Sequence, residues 1–147
     1  MAYLGPIKFI TIHCAATPEG RDVKSATISQ WDVARFGQVS YHYVIELDGK
    51  VTNTLPDVTR GAHVGGHNTN NLGICYVGGV DSNNKAPKDT RTPEQKKAMI
   101  KLVCKYTNGH PEIQVLGHRD WPGVKKACPS FDVKKWLKEE GIYNASR

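Results

Sequence analysis

The chain contains no apolar run long enough for a secretory leader or a membrane-spanning helix. The expectation is therefore a protein kept in the cytoplasm where it is made until something else releases it. Cysteine is sparse, with only Cys14, Cys75, Cys104 and Cys128, and no two form a Cys-x-x-Cys pair. Four cysteines allow three disulfide pairings, but cytoplasmic thiols stay reduced, so a disulfide framework is disfavoured. Neither Glu-x-x-His nor His-Glu-x-x-His occurs, which excludes the common metalloprotease helix with its built-in general base. Internal repeats and low-complexity segments are absent as well. Acidic residues are the minority, 14 Asp and Glu against 20 Lys and Arg, a net charge of +6. That excess suits an acidic partner: nucleic acid, an anionic membrane surface or an anionic wall polymer. The cations are scattered, with small knots at Lys96-Lys97, Lys125-Lys126 and Lys134-Lys135, and most read as solvated surface.

The 147 residues suffice for one domain with a real core, taken here as residues 1–147. Ile7 to Ile12 is a β-rich run that delivers His13 at its end. Thr27 is placed to cap a helix with Ile28, Trp31 and Ala34 at helical spacing, closing at Gly37. Tyr41 to Leu47 and Lys50 to Leu55 read as strands joined by an Asp48-Gly49 hairpin turn. Gly61 to Asn71 is a glycine-, histidine- and asparagine-rich loop of functional character. Leu72 to Val80 reads as a buried central strand. Thr92-Pro93-Glu94-Gln95 is a helix start of capping-box type. The helix it opens buries Met99, Leu102, Val103 and Tyr106 and stops at Asn108-Gly109. Ile113 to Leu116 is a short strand leading to Gly117-His118, and Asp132 caps a last helix carrying Val133, Trp136 and Leu137. The order β-α-β-β-β-α-β-α predicts an α/β fold, a central mixed β-sheet flanked by helices.

Two histidines, His13 and His118, follow predicted strands, where open α/β sheets place their sites. Cys128 lies in the loop before the last helix. Imidazole and thiolate are ligands that zinc prefers, and three protein ligands leave a fourth tetrahedral position for water. Composition alone still leaves two ordinary histidines and a buried thiol as the simpler reading. Cys75 and Cys104 read as small buried hydrophobes. Cys14 directly follows His13 and should face the other side of the strand, toward the core. His118-Arg119-Asp120 matches the His-Arg-Asp of kinase catalytic loops, but the other kinase motifs are missing. Asp120 is better placed to orient a ligand or a loop.

Longer strings settle more. Ile12-His13-Cys14-Ala15-Ala16-Thr17, Val39-Ser40-Tyr41-His42-Tyr43-Val44-Ile45, Asp48-Gly49, Asn71-Leu72-Gly73-Ile74-Cys75-Tyr76-Val77-Gly78-Gly79, Gly117-His118-Arg119-Asp120 and Lys126-Ala127-Cys128-Pro129-Ser130-Phe131-Asp132 occur in this order. Together they resemble the zinc-dependent N-acetylmuramoyl-L-alanine amidases of type 2, the family that includes the peptidoglycan recognition proteins, and its short phage members above all. The resemblance implies an amidase fold of one domain, with zinc held by His13, His118 and Cys128. It implies Tyr41 and Lys126 as catalytic residues and His63 as a substrate-binding residue in the loop; His67 is a weaker candidate, and His42 and His110 are structural or exposed. A phenol and an ammonium suit an oxyanion that develops during amide hydrolysis. Lys126 and Cys128, two apart, share one side of an extended segment. The partner implied is peptidoglycan, with neither nucleic acid nor a stable membrane anchor, and the chain is expected to be a monomer. The implied role is that of a phage endolysin, stored in the host cytoplasm, released by a holin and acting on the periplasmic wall. Phage RNA polymerase is a further partner that the resemblance raises and the residues between the motifs neither support nor exclude. A module that binds peptidoglycan without cleaving it is the alternative from another class; Cys128, which such members lack, favours the enzyme.

Overall fold

The structure is a computed structural model that describes residues 2–145. The β-branched run Ile10-Thr11-Ile12 forms the middle of β1 (Phe9–Cys14), which is followed by the two-residue β2 (Thr17–Pro18) and helix α1 (Ser25–Phe36). The hairpin β3 (Tyr43–Ile45) and β4 (Val51–Asn53) turns through Leu47, Asp48 and Gly49, one residue more than the predicted Asp48-Gly49 pair, with the Gly49 amide donating to Glu46 O at 2.9 Å. After the long loop come β5 (Asn71–Tyr76), β6 (Gly79–Val80), α2 (Pro93–Thr107), β7 (Gln114–Gly117) and α3 (Val133–Glu139). Five strands form one mixed sheet in the order β4-β3-β5-β1-β7, antiparallel only between β3 and β4. The strand β1 lies inside it between β5 and β7, with His13 level with Cys75 of β5 and Ile12 level with Gly117 of β7. β2 and β6 pair apart from it as a small parallel ribbon.

Strand side chains alternate between faces, and the two faces of this sheet differ. Ile10, Ile12, Ile45, Leu72, Ile74 and Val115 point to the large core, where α2 adds Met99, Leu102 and Val103 and α3 adds Val133, Trp136 and Leu137. Thr11, His13, Asn71 and Gly73 occupy the intervening positions and turn to the other face, as does the buried His42 just before β3. There α1 packs through Ile28 on Val44 and Cys75, and a third small cluster gathers Val64, Leu116 and Trp121.

The start of α2 is the predicted capping box: Thr92 Oγ1 accepts from the Gln95 amide at 3.1 Å, and Gln95 Oε1 accepts from the Thr92 amide at 2.9 Å. The same Gln95 is fully buried and donates its side-chain amide to Ile45 O and Val77 O, tying the helix to β3 and the end of β5. Arg91 lies 3.3 Å over the Phe131 ring and 4.3 Å over Trp136, sealing the base of α3.

The elements depart from expectation at four further places. β1 runs on to Cys14 because β5 keeps pairing with it as far as Tyr76, so His13 sits inside the strand. α1 begins at Ser25, two residues before Thr27, because Glu46 reaches across and accepts the Ser25 amide at 2.8 Å. It also leaves Trp31 48% and Phe36 51% exposed. The run Leu72–Val80 breaks after Tyr76, since Gly78 and Gly79 take positive φ and turn the chain toward β2. Cys104 is partly exposed rather than buried. Among the described residues no helix is long and apolar enough to cross a membrane.

Candidate metal centre

The polar face of the sheet brings the three predicted ligands together. His13 stands on β1 with 1% exposure. His118 opens a single 3₁₀ turn, His118–Asp120, held where it leaves β7 by the Gly117 amide donating to Asp120 Oδ2 at 2.8 Å. Asp120 thus orients the loop that carries the ligand. Cys128 is docked by two backbone bonds: its carbonyl accepts the Arg119 amide at 2.9 Å, and its Sγ accepts the Cys14 amide at 3.2 Å. The ligating atoms of His13, His118 and Cys128 all lie within 4.8 Å of one another. Cys128 Sγ is 3.8 Å from His13 Nδ1, and ligand atoms around a tetrahedral zinc stand about 3.3–3.8 Å apart.

The electrostatics fit a metal. Burial, with the neighbouring His63, His118 and Lys126 behind it, holds the His13 pKa well below its usual value. Burial and Lys126 lower His118 likewise. Both imidazoles are therefore neutral at pH 7, the form that ligates. A hydrogen bond with the Cys14 thiol, with burial behind it, raises Cys128, so a metal entering here takes the place of a thiol proton. Among the described residues no fourth His, Cys, Asp or Glu joins the cluster, which leaves it open in the manner of catalytic zinc sites. Cys14 packs in the core as predicted, yet its thiol also reaches Cys128.

The cluster forms the floor of a cavity of about 530 Å³. Tyr41 and Lys126 line it, as does His63. The Tyr41 ring lies 5.0 Å from that of His13, and burial pushes its phenol pKa well up, so it is a proton donor throughout the neutral range. Thr54 fixes this residue by donating its hydroxyl to Tyr41 O at 2.7 Å. Lys126 is exposed at the cavity mouth. His63, expected to meet substrate, has both ring nitrogens occupied within the protein: Nε2 lies 3.0 Å from Asn71 O, and Nδ1 lies 2.9 Å from His13 Nε2. His67 is exposed and stacks on Trp121 with 4.7 Å between centroids. His42 is structural, accepting the Gly73 amide and bonding to Thr59 O at 2.7 Å. His110 is exposed beside Glu112.

The sequence reading missed the opposite wall, which α1 supplies with Trp31, Asp32, Arg35 and Phe36. Burial raises the Asp32 pKa to about 6. One signal was available in the sequence: between Ser25 and Phe36 the helix carries Trp31, Val33 and Phe36 besides Ile28, apolar residues spread over more than one face.

The sequence and the fold both match known proteins. The sequence signature of the N-acetylmuramoyl-L-alanine amidase family covers residues 3–131. The chain is 33% identical to the endolysin of Enterobacteria phage K11 over 137 residues, 92% of this chain and 89% of that protein. It is 31% identical to the endolysin of Escherichia phage T7 over 139 residues, 94% of this chain and 90% of that one. In fold it is similar to the Ph2119 endolysin from the Thermus scotoductus MAT2119 bacteriophage Ph2119, with a TM-score of 0.72 and 24% identity over 93% of this chain and 86% of that one.

Proposed function

The chain belongs to the N-acetylmuramoyl-L-alanine amidase family, and from that premise we propose that it is a zinc-dependent endolysin cleaving the amide between the lactyl group of N-acetylmuramic acid and L-alanine in peptidoglycan. The observation that carries the reading is the open cluster of His13, His118 and Cys128 on the cavity floor. When bound by these residues, zinc supplies a Lewis acid that polarises a carbonyl and lowers the pKa of water to about 7. The remaining work falls to the side chains around it. Tyr41, kept protonated by burial, donates to the scissile carbonyl oxygen as that oxygen gains negative charge. Lys126 donates to the same oxygen from the cavity mouth, each donor contributing a few kcal/mol in the transition state. Lys126 then gives a proton to the departing alanine nitrogen, so that the amine leaves neutral. The wall of α1 lines the same cavity and would meet the glycan or peptide attached to the scissile bond. The positive charge of the chain, +6, suits an anionic wall polymer, and release from the host cytoplasm through a holin completes the proposal.

Purified sacculi incubated with the protein test it. New N-terminal alanine amines should appear with the wild type and not with Cys128→Ala. Undiminished release by Cys128→Ala would remove the zinc mechanism. Binding of sacculi without any release by the wild type would favour the recognition module instead.

A further inference from the structure

We infer that His63 is a positioning residue for the metal centre: it holds His13 in the tautomer that turns Nδ1 toward the zinc position. This rests on the zinc reading above. The argument starts from a backbone carbonyl. Asn71 O has no hydrogen to give, so at 3.0 Å the His63 Nε2 carries the proton and donates it. His63 is 8% exposed and hydrogen-bonds to no carboxylate, and a buried imidazolium without a counter-ion costs several kcal/mol. The ring is therefore neutral and its Nδ1 is bare. That lone pair accepts from His13 Nε2 at 2.9 Å, which places the single proton of His13 on Nε2. His13 Nδ1 is thereby left bare on the side of Cys128 Sγ, 3.8 Å away.

The arrangement is held from several directions. The Asn71 side chain accepts from the Thr11 hydroxyl at 2.8 Å, and that hydroxyl accepts from Trp121 Nε1 at 2.9 Å. Asn68 Oδ1 accepts the amides of both His63 and Val64. Two glycines make the slot for the ring: a Cβ at Gly73 would come within 2.9 Å of the His63 ring, and one at Gly61 within 3.1 Å. Histidines that ligate a metal usually give their second N–H to a carboxylate or a carbonyl, and losing that partner typically costs 10–100-fold in metal affinity. In this chain the acceptor is a second imidazole, ordered in turn by the first residue of β5. His63 thus acts on the metal ligand from its place in the cavity lining.

Two measurements test this. In the metal-free wild type, long-range ¹H–¹⁵N spectra of the imidazoles should show His13 protonated at Nε2 and His63 protonated at Nε2; a His13 proton on Nδ1 would overturn the inference whether or not zinc binds. Zinc affinity, read by competition with a chromogenic chelator, should fall about 10–100-fold in His63→Leu. His63→Gln keeps one acceptor and one donor and should stay within a few-fold of wild type. Equal affinity of His63→Leu and wild type would sink the inference and leave the zinc reading standing. No zinc binding by the wild type would sink the zinc reading while the tautomer measurement still stood on its own.

Discussion

The two faces of the five-stranded sheet are drawn from alternate residues of the same strands, and they do opposite things. Ile10 and Ile12 of β1 and Leu72 and Ile74 of β5 are fully buried in a dry core against α2 and α3. Between them, Thr11 and His13, and Asn71 and Gly73, face a polar assembly in which hydrogen bonds replace apolar contact. Stability is concentrated on the first face because apolar burial is non-directional and tolerant. Chemistry is concentrated on the second because buried polar groups must be satisfied, and a satisfied network has one arrangement. A strand period of two lets one segment meet both demands, so a residue and its neighbour are almost independent in effect.

The most severe way to break this comparison is at a ligand. Cys128→Ser or His118→Ala should lower amidase turnover on sacculi by about 10³-fold or more, beyond the 10²–10³ of a single oxyanion donor. Urea unfolding of either metal-free variant should stay close to that of the metal-free wild type. The converse change, Ile74→Ala, should cost about 3 kcal/mol in urea unfolding. Its zinc content and its turnover per folded molecule should be unchanged. Tyr41→Phe removes one hydroxyl from the polar face, and kcat should fall about 10²-fold, about 2.7 kcal/mol, with zinc content retained.

Taken per pH unit, the smallest effect is one of acidity. His13 and His63 are held neutral by burial, with pKa values lowered, that of His63 to about 3. Below the ordinary value near 6.5 the unfolded chain takes up protons that the folded chain refuses, so stability is present above that pH and lost as pH falls. Each such histidine contributes about 1.4 kcal/mol of loss per pH unit. Thermal melts of the metal-free protein should therefore decline from pH 6.5 toward pH 4, and His63→Gln should flatten the decline. An equal slope in that variant would show that the acid sensitivity lies elsewhere.

Local signals made much of this molecule legible. The Asp48-Gly49 turn, the Thr92–Gln95 capping box and the alternation in β1 each act within a few residues, so the hairpin, α2 and β1 were readable. The meeting of His13, His118 and Cys128 was readable too, because His13 and His118 stand on or just after neighbouring parallel strands and Cys128 returns beside them. What was hidden depends on contacts distant in sequence. The start of α1 is set by Glu46, 21 residues away from Ser25. The break between β5 and β6 follows a turn at Gly78-Gly79 that no periodicity announces. The engagement of His63 depends on a partner 50 residues away and on the missing side chain of Gly73. The role of α1 as a cavity wall shows only once the helix is docked.

Metal analysis of the purified protein tests the central claim most directly. After dialysis against zinc-containing and then metal-free buffer, the wild type should hold close to one zinc per chain and His118→Ala close to none. A wild-type stoichiometry near zero would contradict the account, since the polar face would then be a hydrogen-bonded network and not a metal centre.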